Sequence, residues 1–143
     1  MLKTVLPWII GFTVLIFAAI QDRKSYTISL KLILVGMTSG LTLSIFLHGW
    51  IGLWGGLFGG VLGLVLGTVL SVFAHMGWGD TLLYGTIGTF FGPTVVYLTF
   101  GVTTLFLLVR LLPIVYHKQK VRIAVAPYMV LGTLVASVWA HWV

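Results

Sequence analysis

No run of polar residues in this sequence is long enough to coat a globule. Apolar residues come in long stretches, broken only by scattered charges, prolines and glycine clusters. A water-soluble fold would have nothing from which to build its surface. Charged residues make up 7% of the chain, against about 25% in a typical soluble domain, and hydrophobic residues make up 59%. The chain therefore reads as an integral membrane protein. A helical crossing takes about 20 apolar residues, so a length of 143 residues leaves little for a separate soluble domain. The expectation is a single all-α domain over 1–143, a polytopic bundle of transmembrane helices.

Dividing the apolar runs at charges, Pro and Gly clusters predicts six helices, at 4–20, 28–47, 50–75, 80–91, 94–112 and 126–142. Six crossings put both termini on one side of the bilayer. Lys and Arg in short loops mark the cytoplasmic side. Arg23, Lys24 and Lys31 flank the first connection, Arg110, Lys118, Lys120 and Arg122 flank the fifth, and Lys3 alone lies opposite. The first, third and fifth connections are thus expected in the cytoplasm and both termini outside. The first run shares Lys3, an apolar stretch, and the small residues Ala18 and Ala19 with signal peptides. It is expected to be retained, because cleavage would leave Asp22 beside a new N-terminus outside the membrane.

The acids limit the chemistry more tightly than the fold. There is no Glu, and the side-chain carboxylates are Asp22 and Asp80 alone. An ionised carboxylate in a membrane helix costs roughly 2.5 to 3.5 kcal/mol on insertion scales, so such residues face the bundle interior and mark function. Each acid also has a plain structural reading. Asp22 precedes Arg23 and Lys24 and suits an interfacial loop; Asp80 follows Gly77-Trp78-Gly79 and suits a helix N-cap. The topology brings both to the cytoplasmic side. The fourth span covers only about 18 Å from Asp80 to Phe91 at 1.5 Å per residue. Asp80 is therefore expected below the membrane surface, with Gly77 and Gly79 supplying non-helical backbone beside a wet cavity.

If the first and fourth helices are neighbours, the two acids converge. Two carboxyls in contact cannot both ionise easily, and such a pair holds a shared proton. One partner then activates a water while the other polarises a carbonyl, the chemistry of aspartic peptidases. Gly52, Gly55, Gly56, Gly59, Gly60, Gly63 and Gly67 recur at spacings of three and four, a strip for close helix packing or for a groove admitting a substrate helix. His48, His75, His117 and His141 fall near predicted helix ends without HExxH spacing, so no metal is expected; His75 is the one nearest the Gly77–Asp80 stretch. With no Cys there is no disulfide or thiolate chemistry. No basic region lies beyond the membrane flanks, which argues against nucleic-acid binding.

Three stretches resemble the type IV prepilin peptidases, intramembrane aspartic peptidases of the GxGD class. Asp22-Arg23-Lys24-Ser25-Tyr26-Thr27-Ile28 is similar to that family's Asp at the end of helix one, followed by a basic stretch. Gly77-Trp78-Gly79-Asp80, with Gly88 and Gly92 downstream, matches GxGD and its later glycines. Ile123-Ala124-Val125-Ala126-Pro127-Tyr128 looks like the family's Pro-aromatic lead into the last helix. GxGD is short by itself, but an Asp 58 positions earlier and the late motif give it context. The resemblance implies a catalytic pair, Asp22 and Asp80, supported by Gly77 and Gly79. No cofactor or metal is implied.

The resemblance further implies a substrate that is a prepilin or pseudopilin with a basic leader and a hydrophobic N-terminal helix, cut in the bacterial cytoplasmic membrane at its inner face. The sequence departs from the family at Ser29 and Leu30, where Pro-Asn is usual, and at Ala124, where the first Pro of the late motif stands. Leu82 replaces a frequent Lys and leaves the pair without a nearby cation. The cysteine-containing, methylation-linked segment of many members is expected to be missing. Two other readings of the acids are a small proton-coupled transporter and a non-catalytic assembly protein of the same fold.

Overall fold

The computed structural model of the chain describes residues 2–74, 77–116 and 124–142. Every regular element among them is helical: α1 (Leu2–Ser25), α2 (Leu30–Ala74), α3 (Trp78–Tyr116) and α4 (Ala126–Trp142). Three helical stretches, Val5–Ser25, Leu30–Val72 and Trp78–Arg110, are long and apolar enough to cross a membrane, and the apolar part of α4, Ala126–Trp139, is shorter.

The sequence predicts six separate helices; there are four among the described residues. The expected breaks near 48–49 and 92–93 fall inside α2 and α3, at Gly49 (φ 61°, ψ −143°) and Gly92 (φ 78°, ψ −180°). Each interruption is one residue in backbone territory that glycine enters without steric cost, so helix resumes at once with no loop between. The chain nevertheless turns back at both. Gly52 and Gly56 come against Ser44 and Leu41, and the Tyr84 ring centroid is 6.2 Å from that of Phe100. A straight helix rising 1.5 Å per residue would hold Tyr84 and Phe100 about 24 Å apart. Both α2 and α3 therefore consist of two arms folded against each other.

The glycine strip of α2 is used for packing. Gly59, Gly63 and Gly67 of its second arm lie against the backbone of Gly88, Tyr84 and Thr81 in the first arm of α3, where no side chain would fit. Thr81 Oγ1 donates to the Gly67 carbonyl at 3.2 Å across this seam. Gly55 is off the seam and meets nothing. The second arm of α3 packs on α4 in the same way, with Gly132 against Thr99 and Thr103. α1 lies antiparallel to the first arm of α3: Trp8 stacks on Phe91 with centroids 4.5 Å apart at one end, while Asp22 and Asp80 share a cavity at the other.

The burial pattern is inverted relative to a soluble bundle. Thr81, Thr86, Thr89, Thr99, Thr103 and Thr133 are buried together with both acids, while Phe17, Val35, Phe46, Ile51, Leu105 and Val138 are exposed. Such an exterior suits lipid as its solvent, and in lipid it is close backbone approach and interhelical polar contact that hold helices together.

Candidate active site

Asp22 occupies the last turn of α1 and is 5% exposed. The helix stops three residues later, at Ser25. Tyr26 takes a left-handed conformation (φ 53°) and its amide donates to the Asp22 carbonyl at 2.8 Å, an αL termination that a non-glycine residue adopts at some steric cost. The Ser29 amide then donates to Gln21 Oε1 at 3.1 Å, which ties the start of α2 back to α1.

The Asp22 carboxylate has a partner far away in sequence. Its Oδ2 accepts a hydrogen bond from the Ala126 amide at 3.0 Å. Ala126 opens α4, and the first amides of a helix have no partner within it. Pro127 carries no N–H, and the Tyr128 and Met129 amides both reach the Val125 carbonyl, at 2.9 and 3.2 Å. Asp22 thus completes the cap of the last helix, where the helix dipole favours negative charge.

Asp80 is the third residue of α3 and is 8% exposed. It is not the N-cap residue; Gly77 is. The Asp80 amide donates to the Gly77 carbonyl at 3.0 Å, and Asp80 Oδ2 lies over Gly77, 3.8 Å from where a Cβ would stand. Its other oxygen, Oδ1, has no hydrogen-bond partner among the described residues.

The expectation of non-helical backbone holds at Gly77, which lies just outside α3, and is corrected at Gly79. Gly79 lies within the first turn of α3, which starts at Trp78, two residues earlier than predicted, and the positive-φ glycines are Gly49 and Gly92. What Gly79 supplies is room: a Cβ there would stand 3.2 Å from the Ile28 Cβ.

Asp22 and Asp80 line one cavity of about 290 Å³, walled by Ile28, Ile33, Leu82 and Gly79, with Tyr26 and Trp78 exposed at its rim. No basic side chain lines it among the described residues, and Leu82 faces it. Arg23, Lys24 and Lys31 are exposed at this end of the bundle. Two carboxyls in an apolar cleft, one anchored by an amide and one with a free oxygen, can hold a water and a carbonyl between them.

Of the histidines, His48 is exposed beside the Gly49 turn. The positions of His75, His117, Lys118, Lys120, Arg122 and Ile123, and the side chain of His141, lie outside the described residues. Among the described residues no three His, Cys, Asp or Glu side chains are grouped as a metal site.

A model of the type IV leader peptidase family matches residues 9–136. The chain belongs to that family. The matched stretch takes in Asp22, the cavity, Asp80 and the cap at Ala126, so all of them lie within the shared region. Membership makes it a protease at family level, and its long apolar helices agree with a membrane location. No curated protein and no solved structure matches the chain significantly.

The role of the Ala126 amide is absent from the sequence reading. A signal for it exists in Pro127, which marks a helix start whose free amide needs an acceptor, in a chain with two side-chain carboxylates.

Proposed function

We propose that this chain is an aspartic endopeptidase of the bacterial cytoplasmic membrane, cutting the basic leader from type IV prepilins or pseudopilins at the cytoplasmic face. Asp22 and Asp80 are its catalytic pair. The observation that carries the reading is that both side chains line one cavity. With one proton between them, the ionised partner takes a proton from a water molecule as the water oxygen attacks the scissile carbonyl. The protonated partner donates its hydrogen to that carbonyl oxygen. As the tetrahedral gem-diol collapses and the C–N bond breaks, one of its hydroxyls returns a proton to the ionised partner while the departing amine takes a proton from the other, so the pair again holds one proton.

The six arms α1, α2 first and second, α3 first and second, and α4 serve as six crossings, with both termini outside. Exposed Arg23, Lys24, Lys31 and Arg110 support this orientation, since basic residues gather on the cytoplasmic side. A substrate with an apolar N-terminal helix partitions into lipid beside the bundle, while its basic leader stays in water and crosses the mouth of the cavity. The test is cleavage of a co-expressed prepilin by wild type, Asp22→Asn and Asp80→Asn. Both variants are expected to leave the leader uncut; full cleavage by either overturns the pair.

A further inference from the structure

Four buried side-chain oxygens have no hydrogen-bond partner among the described residues: Asp80 Oδ1, Tyr84 Oη, Thr103 Oγ1 and Thr104 Oγ1. Asp80 and Tyr84 belong to the first arm of α3, Thr103 and Thr104 to its second. Tyr84 follows Asp80 by four positions, which puts both on one face of α3, and helical side chains lean toward the N-terminus, here toward Asp80. Because α3 turns back at Gly92, its second arm brings Phe100 against the Tyr84 ring and Thr103 opposite the Tyr84 hydroxyl. Thr104 is the next residue.

Tyr84 is 0% exposed, and its surroundings hold it in place. Its backbone lies against Gly63, and a Cβ at Gly67 would come 3.2 Å from its ring edge. Phe would fill the same space without burying a hydroxyl that lacks a partner, a state native structures avoid. The phenol is the one titratable group of this cluster that the catalytic pair leaves unused.

We infer that Tyr84 is a positioning residue for Asp80: as a peptide carbonyl enters the cavity, the Tyr84 hydroxyl, unpartnered until then, donates to Asp80 Oδ1 and takes the Thr103 hydroxyl as its own donor, fixing the carboxyl for the reaction. The inference rests on the catalytic reading of Asp22 and Asp80. Polar groups linked in this way inside a low-dielectric interior reinforce one another.

The test uses the full chain in liposomes with a prepilin-type polypeptide as substrate, comparing wild type with Tyr84→Phe, Thr103→Val, the double variant, and Tyr97→Phe at an exposed site. Tyr84→Phe is expected to lower kcat about tenfold with KM unchanged. Thr103→Val gives a smaller loss in kcat, and the double variant falls no further than Tyr84→Phe, because the two act in one chain. The infrared stretch of the Asp80 carboxyl, assigned by its loss in Asp80→Asn, is expected to shift in Tyr84→Phe and stay put in Tyr97→Phe. An unmoved band, or wild-type kcat in Tyr84→Phe, overturns the inference, including the case where only thermal stability falls. If wild type itself fails to cleave while the band shifts, the Tyr84–Asp80 contact stands and the catalytic reading fails.

Discussion

Asp22 Oδ2 and the amide of Ala126 are 3.0 Å apart, joined across 104 residues of chain. The bond couples the end of the first helix to the start of the last, so the late Pro-containing stretch acts on the site through its backbone. Ala126→Pro deletes this one donor at a position, the first of a helix, where proline is well accommodated. A hydrogen bond to a charged group contributes about 1.5 to 3 kcal/mol, so leader cleavage is expected to fall at least about tenfold. Ala126→Gly, which keeps the amide, should retain most activity. Initial rates on a prepilin substrate, with thermal stability read in parallel, check both.

The glycines of α2 differ in what surrounds them. At Gly63 a methyl group would run into the Tyr84 backbone, whereas at Gly55 it would meet nothing. Gly63→Ala is expected to push α2 from α3 and destabilise the bundle by about 1 to 3 kcal/mol, the range for overpacked sites. Gly55→Ala should be neutral or stabilising by up to about 1 kcal/mol, since Ala is the better helix former. Melting temperatures of the two purified variants separate them.

Gly92 and Gly101 both have free space around them, but only Gly92 has positive φ. Its φ of 78° and ψ of −180° lie in a region that is essentially glycine's alone, at a cost of about 1 to 3 kcal/mol for other residues. Gly92→Ala should therefore lower the midpoint of thermal unfolding and Gly101→Ala should not. Equal midpoints would mean that the turn in α3 does not depend on this backbone conformation.

The two motif glycines beside Asp80 also separate. A Cβ at Gly79 stands 3.2 Å from Ile28 in the cavity wall, whereas one at Gly77 has Asp80 Oδ2 alone nearby, at 3.8 Å. Gly79→Val is expected to close the cavity and cut leader cleavage by about a hundredfold, the scale of a misplacement of about 1 Å at a reacting centre. Gly77→Ala should cost much less. Single-turnover rates at saturating substrate provide the comparison.

Much of this arrangement is legible before any coordinates. Helical spans, the breaks that fall at Gly49 and Gly92, and the glycine spacing of α2 follow from hydropathy and from local backbone freedom, which act over a few residues. The same local view predicts separate helices where the structure has two folded ones, because a single glycine can reverse a helix as a loop does. It also assigns Gly79 to a bend, because the pressure of Ile28 on that position comes from another element.

By itself the sequence determined that the chain belongs in lipid and that Asp22 and Asp80 are its only side-chain carboxylates. Charge scarcity and residue identity are properties of the chain alone. Only the tertiary structure decided that the two acids line one cavity, that Asp22 answers to Ala126, and that the Tyr84 and Thr103 hydroxyls are buried without hydrogen-bond partners among the described residues. The physical reason is distance along the chain. A hydrogen bond across 104 residues leaves no periodicity to read, and it forms only when packing brings helix ends together.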